Sequence, residues 1–175
     1  MAQFRLFDMI PELLTDISPK PSLLGDSPVQ INGWFGSGGT RTPLHFDSYD
    51  NILVQVVGSK YIRLYNNSET KYLYAVSKNS KTTYQQQGNF SEVKCEEEDL
   101  QKHPLVSKAK YTELVLNPGD GVYIPAGCWH YVRSLSTSFS VSSYMHISVT
   151  FSLLVHKHES TSYSTAQVNY FWHAA

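Results

Sequence analysis

Two periodicities divide the chain. Phe4, Phe7, Ile10 and Leu14 recur at helical spacing, which predicts helix over residues 3–17, with Pro11 opening a second helical segment. Residues 18–28, rich in Pro, Ser and Gly, predict a loop. From Val29 the pattern shortens to strands and turns. Val29 to Phe35 alternates in part, and Gly36-Ser37-Gly38-Gly39 reads as a turn. Asn51 to Val57 and Lys60 to Tyr65 are two β runs joined by Gly58-Ser59, the pattern of a tight hairpin. Residues 66–112 are polar and weakly patterned, as in a functional insert or a poorly ordered segment, and their acidic run Glu96 to Asp99 predicts a solvated face.

Strand patterns then resume. Glu113 to Leu116 leads into the turn signal Asn117-Pro118-Gly119-Asp120-Gly121. Val122 to Pro125, Trp129 to Leu135 and Ser138 to Tyr144 follow. In the last, Phe139 and Val141 face one way and Ser138, Ser140 and Ser142 the other, as in a barrel or sandwich wall. Residues 145–175 turn rich in Ser, Thr and His, with Met145 to Val155 apolar enough for one more strand.

Composition narrows the function classes. A chain of 175 residues suits one domain. Fourteen Lys and Arg against fifteen Asp and Glu leave a net charge of −1, with no basic excess to drive binding to nucleic acid. No apolar run reaches the ~18–20 residues of a membrane span. Two cysteines, Cys95 and Cys128, exclude a multi-disulfide scaffold and an all-Cys zinc site, and each reads as a small core or loop residue. Twelve Tyr, eight Phe and three Trp favour β structure.

The unit that can carry chemistry is His45-Phe46-Asp47. In an extended segment, residues two apart project from one face, so an imidazole and a carboxylate can bind one metal ion. A surface His-Asp pair has the same pattern. A His on a later strand would complete a two-His-one-carboxylate set, which leaves open metal positions and suits non-haem Fe(II) oxygenases. His130, after Pro125-Ala126-Gly127-Cys128-Trp129, is the candidate; the plain alternative is an edge-strand His beside a core Trp. Lys60 opens the strand after Gly58-Ser59. Either its head reaches water, or it points into the barrel and needs an anion such as a dicarboxylate cosubstrate. His156-Lys157-His158-Glu159 offers a second pair of imidazoles but reads as a polar tail, and His103, before Pro104, as a loop residue.

Several spaced blocks resemble the JmjC-domain family, within it the group of JmjC-domain-containing protein 5, also called lysine-specific demethylase 8. They are Ala2-Gln3, Leu6-Phe7-Asp8, Ile10 to Leu13, Trp34 to Asp47, Asn51 to Tyr65, Asn117 to Asp120, Tyr123 to Pro125, Trp129 to Arg133 and Ser138 to Ser142. The resemblance spans residues 2–142 and is weak over 66–112. It implies an all-β core with short N-terminal helices, folded as a cupin-like double-stranded β-helix. It also implies an Fe(II)- and 2-oxoglutarate-dependent oxygenase that hydroxylates a protein side chain, as an arginyl hydroxylase or a histone lysine demethylase.

By the same resemblance His45, Asp47 and His130 would hold iron. Lys60 and Thr42 would hold the distal carboxylate of 2-oxoglutarate, and Asn51 would lie beside it. The partner would be a protein or peptide, histone or other chromatin-associated, with a nuclear or cytoplasmic location. The family has a tyrosine just upstream of the segment matching Ala2-Gln3, and Phe-Trp-Trp where this chain has Ser143-Tyr144-Met145. Residues 1–144 are therefore expected to form a partial, incomplete JmjC domain, with 145–175 a divergent segment. The rival expectations are an inactive JmjC-like binding module and a cupin barrel with a structural or metal-storage role.

Overall fold

The computed structural model describes residues 2–16, 30–76 and 88–145. Among the described residues nine strands make two antiparallel sheets: β1 (Ala2–Phe4), β2 (Gln30–Gly36), β3 (Arg41–His45), β4 (Asp50–Val57), β5 (Lys60–Tyr65), β6 (Tyr111–Leu116), β7 (Gly121–Ile124), β8 (Trp129–Ser134) and β9 (Ser138–Met145). One sheet has the order β1-β2-β9-β4-β7 and the other β3-β8-β5-β6. Leu53, Val122 and Ile124 of the first meet Ile62, Leu116 and Val132 of the second in a buried cluster between them. This is the cupin-like β architecture expected, with short helical turns at the N-terminus.

The N-terminal prediction is corrected in part. Ala2–Phe4 is a strand on the edge of β2, with Gln3 opposite Trp34, because pairing there satisfies its backbone groups. Helix follows only as α1 (Leu6–Met9) and a 3₁₀ stretch at Pro11–Asp16. The expected 18–28 loop, any strand beyond Met145 and the His156-Lys157-His158-Glu159 cluster lie outside the described residues.

Gly58-Ser59 is not a hairpin turn. β4 pairs with β7 and β9, whereas β5 pairs with β6 and β8. The two residues are a corner through which the chain crosses from one sheet to the other. Gly58 has φ +70°, and a Cβ there would stand 2.1 Å from the Thr137 carbonyl oxygen, so only glycine passes. The buried Gln55 amide donates to the carbonyls of Val57 and Gly58 at 2.7 and 3.1 Å, and a register shift between Gln55 and Val57 bends the strand into the corner.

The serine face of β9 points inward. Ser138, Ser140 and Ser142 are buried, and each finds a partner there: Ser134, Gln55 and the Trp34 indole. Alternation shows that the two faces differ, and the hydrogen bonds decide which one is internal.

The polar 66–112 stretch contributes to the core where it is described. Leu73, Val93, Cys95 and Val106 join Leu44, Tyr65, Trp129 and Tyr131 in a second buried cluster. Trp129 and Tyr131 alternate along β8 with His130 and Val132, so this cluster covers the outer face of the four-stranded sheet. The acidic run closes over that face. Arg133 donates twice to Glu96, at 2.7 and 2.8 Å, and Tyr131 donates to the same carboxylate. Arg63 reaches Glu98 and Arg41 reaches Glu97. Three strand arginines pair with this run: Glu96 and Glu98 are partly buried, whereas Glu97 and Asp99 stay exposed, as expected of a solvated face. Cys95 and Cys128 are free thiols, and burial raises both, to about 11 and about 12.

Candidate metal centre

His45 ends β3 and stands opposite His130 of β8. A register shift between Thr42 and His45 turns the chain so that His45 and, two residues on, Asp47 both address the space beside His130. The ring centroids of the two histidines are 4.2 Å apart. One nitrogen from each His and a carboxylate oxygen all lie within 4.8 Å of one another.

Each imidazole is held from behind. Nδ1 of His45 lies 2.8 Å from the Pro43 carbonyl oxygen, and Nδ1 of His130 lies 3.0 Å from that of Cys128. A proton on each Nδ1 leaves the Nε2 lone pairs pointing at Asp47. Those Nε2 atoms are 3.8 Å from Asp47 Oδ1 and Oδ2 respectively. That is too long for hydrogen bonds and suits donors that share one ion. Asp47 Oδ2 is buried with no hydrogen-bond partner among the described residues. Burial, then the neighbouring His45, lowers His130 to about 4, which keeps its imidazole neutral near pH 7. Two converging imidazole nitrogens and an unpartnered carboxylate oxygen are a donor set that fits a divalent transition-metal ion.

The loop bearing these groups is bracketed by backbone bonds. Phe46 N–H donates to the Asn89 carbonyl, the Asn89 amide donates to the Phe46 carbonyl, and Ser91 N–H donates to the Leu44 carbonyl. Phe90 stacks on His45 with centroids 5.3 Å apart. On the far side Gly127 N–H donates to the Asp47 carbonyl at 2.8 Å. Gly127 takes φ +76° in the Pro125-Ala126-Gly127 turn, and Asp50 ties that turn down through Tyr123 and Ala126.

The cavity beside the triad is lined by Thr42, Asn51 and Lys60, together with Trp34, Ser142 and Tyr144. Thus all six residues singled out from sequence and resemblance come to one place. Lys60 is 1% exposed, and no described residue gives its ammonium an ion pair or hydrogen bond. Burial alone lowers it to about 8. Asn51 Oδ1 is likewise buried and unpartnered among the described residues. Sequence reasoning missed the Asn89–Ser91 bracket and Tyr144. The bracket acts mostly through main-chain atoms, which leave no residue signature. Tyr144 sits two residues from the inward Ser142, so its direction was readable once the internal face of β9 was known. His103 is in a loop as expected but is buried, edge-on to Tyr74 at 4.7 Å.

A family model described as a cupin-like domain matches residues 2–175. The chain belongs to the cupin-like domain family. Among curated proteins it is 49% identical over 146 residues to lysine-specific demethylase 8 of Danio rerio, covering 81% of this chain and 34% of that protein. The protein of the same name from Xenopus tropicalis is 44% identical over 146 residues, with 81% and 32% covered. Jumonji C domain-containing protein 5 of Drosophila melanogaster is 40% identical over 147 residues, with 81% and 35% covered. The JmjC resemblance read from the motifs is thereby borne out. The chain spans about a third of the length of these relatives.

Proposed function

We propose that this chain carries the centre of an Fe(II)- and 2-oxoglutarate-dependent oxygenase acting on a protein side chain. The observation that carries the reading is the buried Lys60 in the cavity that adjoins His45, Asp47 and His130, with no ion pair to a described residue. A buried cation requires a counter-charge, and a dicarboxylic 2-oxo acid supplies one carboxylate for Lys60 and a chelating end for the metal. A purely structural cupin metal site has no need of such a cation.

In this reading His45 and His130 hold Fe(II) through Nε2, and Asp47 through a carboxylate oxygen. Bound iron supplies oxygen chemistry that no side chain possesses. Lys60 and Thr42 orient the distal carboxylate of the cosubstrate, with Asn51 beside it. Trp34, Leu53, Ile124 and Val132 line the cavity with apolar surface, which limits water at the reacting centre. The relatives named as lysine-specific demethylases favour a protein substrate. Hydroxylation of an N-methyl group on lysine ends in formaldehyde, whereas hydroxylation of an arginine carbon leaves a stable product. Both belong to this class, and we favour the hydroxylase.

The test is an anaerobic titration with Fe(II) followed by 2-oxoglutarate. A weak visible charge-transfer band that is lost in His45→Ala is expected. Bound iron with no band on adding 2-oxoglutarate would instead indicate a metal-binding module without the cosubstrate site. With peptides, formaldehyde from methyl-lysine without a hydroxylated product would overturn the preference for hydroxylase.

A further inference from the structure

The two imidazoles are held by unequal frameworks. His130 lies on β8, which has β3 on one side and β5 on the other, so its strand is paired along both edges. His45 ends β3, the outermost described strand of that sheet, and its side chain is 13% exposed against 6% for His130. An imidazole turns easily about the bond that carries its ring. The contact of Nδ1 with the Pro43 carbonyl fixes one point of the His45 ring and leaves its plane free to tilt about that point.

On the open edge of β3 the place of a further strand is taken by Phe90, which forms an isolated antiparallel bridge with His45. The bonds of that bridge run from Ser91 N–H to the Leu44 carbonyl and from Phe46 N–H to the Asn89 carbonyl. They flank the pair rather than join it, the arrangement in which opposed side chains come closest on one face. His130 stands opposite His45 on the other side, so one row runs His130, His45, Phe90. The Phe90 ring lies on the imidazole with centroids 5.3 Å apart and planes 17° from parallel. Phe90 is itself anchored, because its carbonyl accepts from Val76 N–H at 2.8 Å.

We propose that Phe90 is a positioning residue of the metal centre, whose flat face sets the plane of the His45 imidazole so that Nε2 stays aimed at the space shared with His130 and Asp47. This rests on the reading of those three residues as ligands. Groups that orient a metal ligand typically change affinity by about 10–100-fold. Phe90→Leu keeps apolar volume and removes the flat face; Phe90→Tyr keeps the face.

Co(II) alone is the probe, because its visible bands report ligand geometry. Wild type is expected to bind Co(II), Phe90→Leu to bind it about tenfold more weakly with altered band intensity, and Phe90→Tyr to restore both. A role in packing alone would lower the urea midpoint of Phe90→Leu and leave its Co(II) affinity and bands as in wild type. In metal-free wild type the carbon-bound ring protons of His45 should be moved upfield by the Phe90 ring current in proton NMR, a readout that stands even where the Leu variant fails to fold. Unshifted His45 protons, or equal Co(II) affinity and spectra for wild type and Phe90→Leu, overturn the role of Phe90 while leaving the ligands in place. No Co(II) binding by wild type overturns both.

Discussion

Phe46 meets Trp129 edge-on, with ring centroids 4.8 Å apart and planes at 74°. Phe46 lies between His45 and Asp47, and Trp129 directly precedes His130. The fully buried Trp129 is fixed in turn by its indole N–H, which donates to Thr70 at 2.9 Å. Successive strand residues point to opposite faces, so an aromatic lock on the outer side sets the backbone of the groups on the inner side. Phe46→Leu keeps apolar bulk and is expected to cost about 1 kcal/mol of stability by loss of the aromatic contact. Metal affinity should fall by more than that loss of stability alone implies. Urea melts and Co(II) titrations of the same samples separate the two effects.

Removing a ligand should be more severe than disturbing its support. His45→Ala, Asp47→Ala and His130→Ala are each expected to lower metal affinity by more than about 100-fold, beyond the range seen for outer partners. Equilibrium dialysis with Fe(II) under anaerobic conditions measures this. An alanine variant that binds within tenfold of wild type would remove that residue from the ligand set.

Lys60 predicts an alkaline dependence of stability. The unfolded chain keeps the lysine proton up to its ordinary 10.5, and the buried group releases it near 8. Between those values the unfolded state binds more protons, so stability rises with pH. Below about 8 both states are protonated and the contribution is flat. Thermal melts of wild type minus Lys60→Met should show a rising limb over this window. Added 2-oxoglutarate should flatten the limb, because a paired ammonium holds its proton, and should raise the wild-type melting temperature but not that of Lys60→Met.

Glu96 predicts the opposite limb. The hydrogen bond from Arg133 is the largest effect holding its carboxyl below the ordinary 4.5. Stability from this pairing is therefore complete above about pH 4.5 and is lost as pH falls through the lower folded value. Glu96→Gln is expected to cost about 1–2 kcal/mol at pH 7, with a shallower acid limb in urea denaturation. Because Glu96 is partly exposed, high salt should reduce the difference.

The parts of this molecule carried by local chemistry were readable in the chain. His45-Phe46-Asp47, the turn at Asn117 to Gly121 and the strand ending at Pro125 each have residue types that dictate a local outcome. The crossing at Gly58-Ser59 does not, because a hairpin and a corner share the same short pattern. What separates them is pairing with β7 and β9 on one side and β6 and β8 on the other, all more than 45 residues away. The acidic run was legible only in part for a similar reason: Glu97 and Asp99 are exposed as read, but the arginine partners of Glu96, Glu97 and Glu98 lie 35 to 56 residues distant on three different strands. The bracket from Asn89 to Ser91 was invisible because carbonyls and amides look alike at every position.

The corner at Gly58 places Lys60 on one sheet and leaves Asn51 on the other. Thr42, His45 and His130 side with Lys60; Trp34, Ser142 and Tyr144 side with Asn51. A carboxylate guest gripped from both walls would act as a cross-brace of the β sandwich. Breathing of the sheets and escape of the guest then become one motion. Slowed amide exchange in β4 and β5, far along the strands from any contact with the guest, would be its mechanical trace.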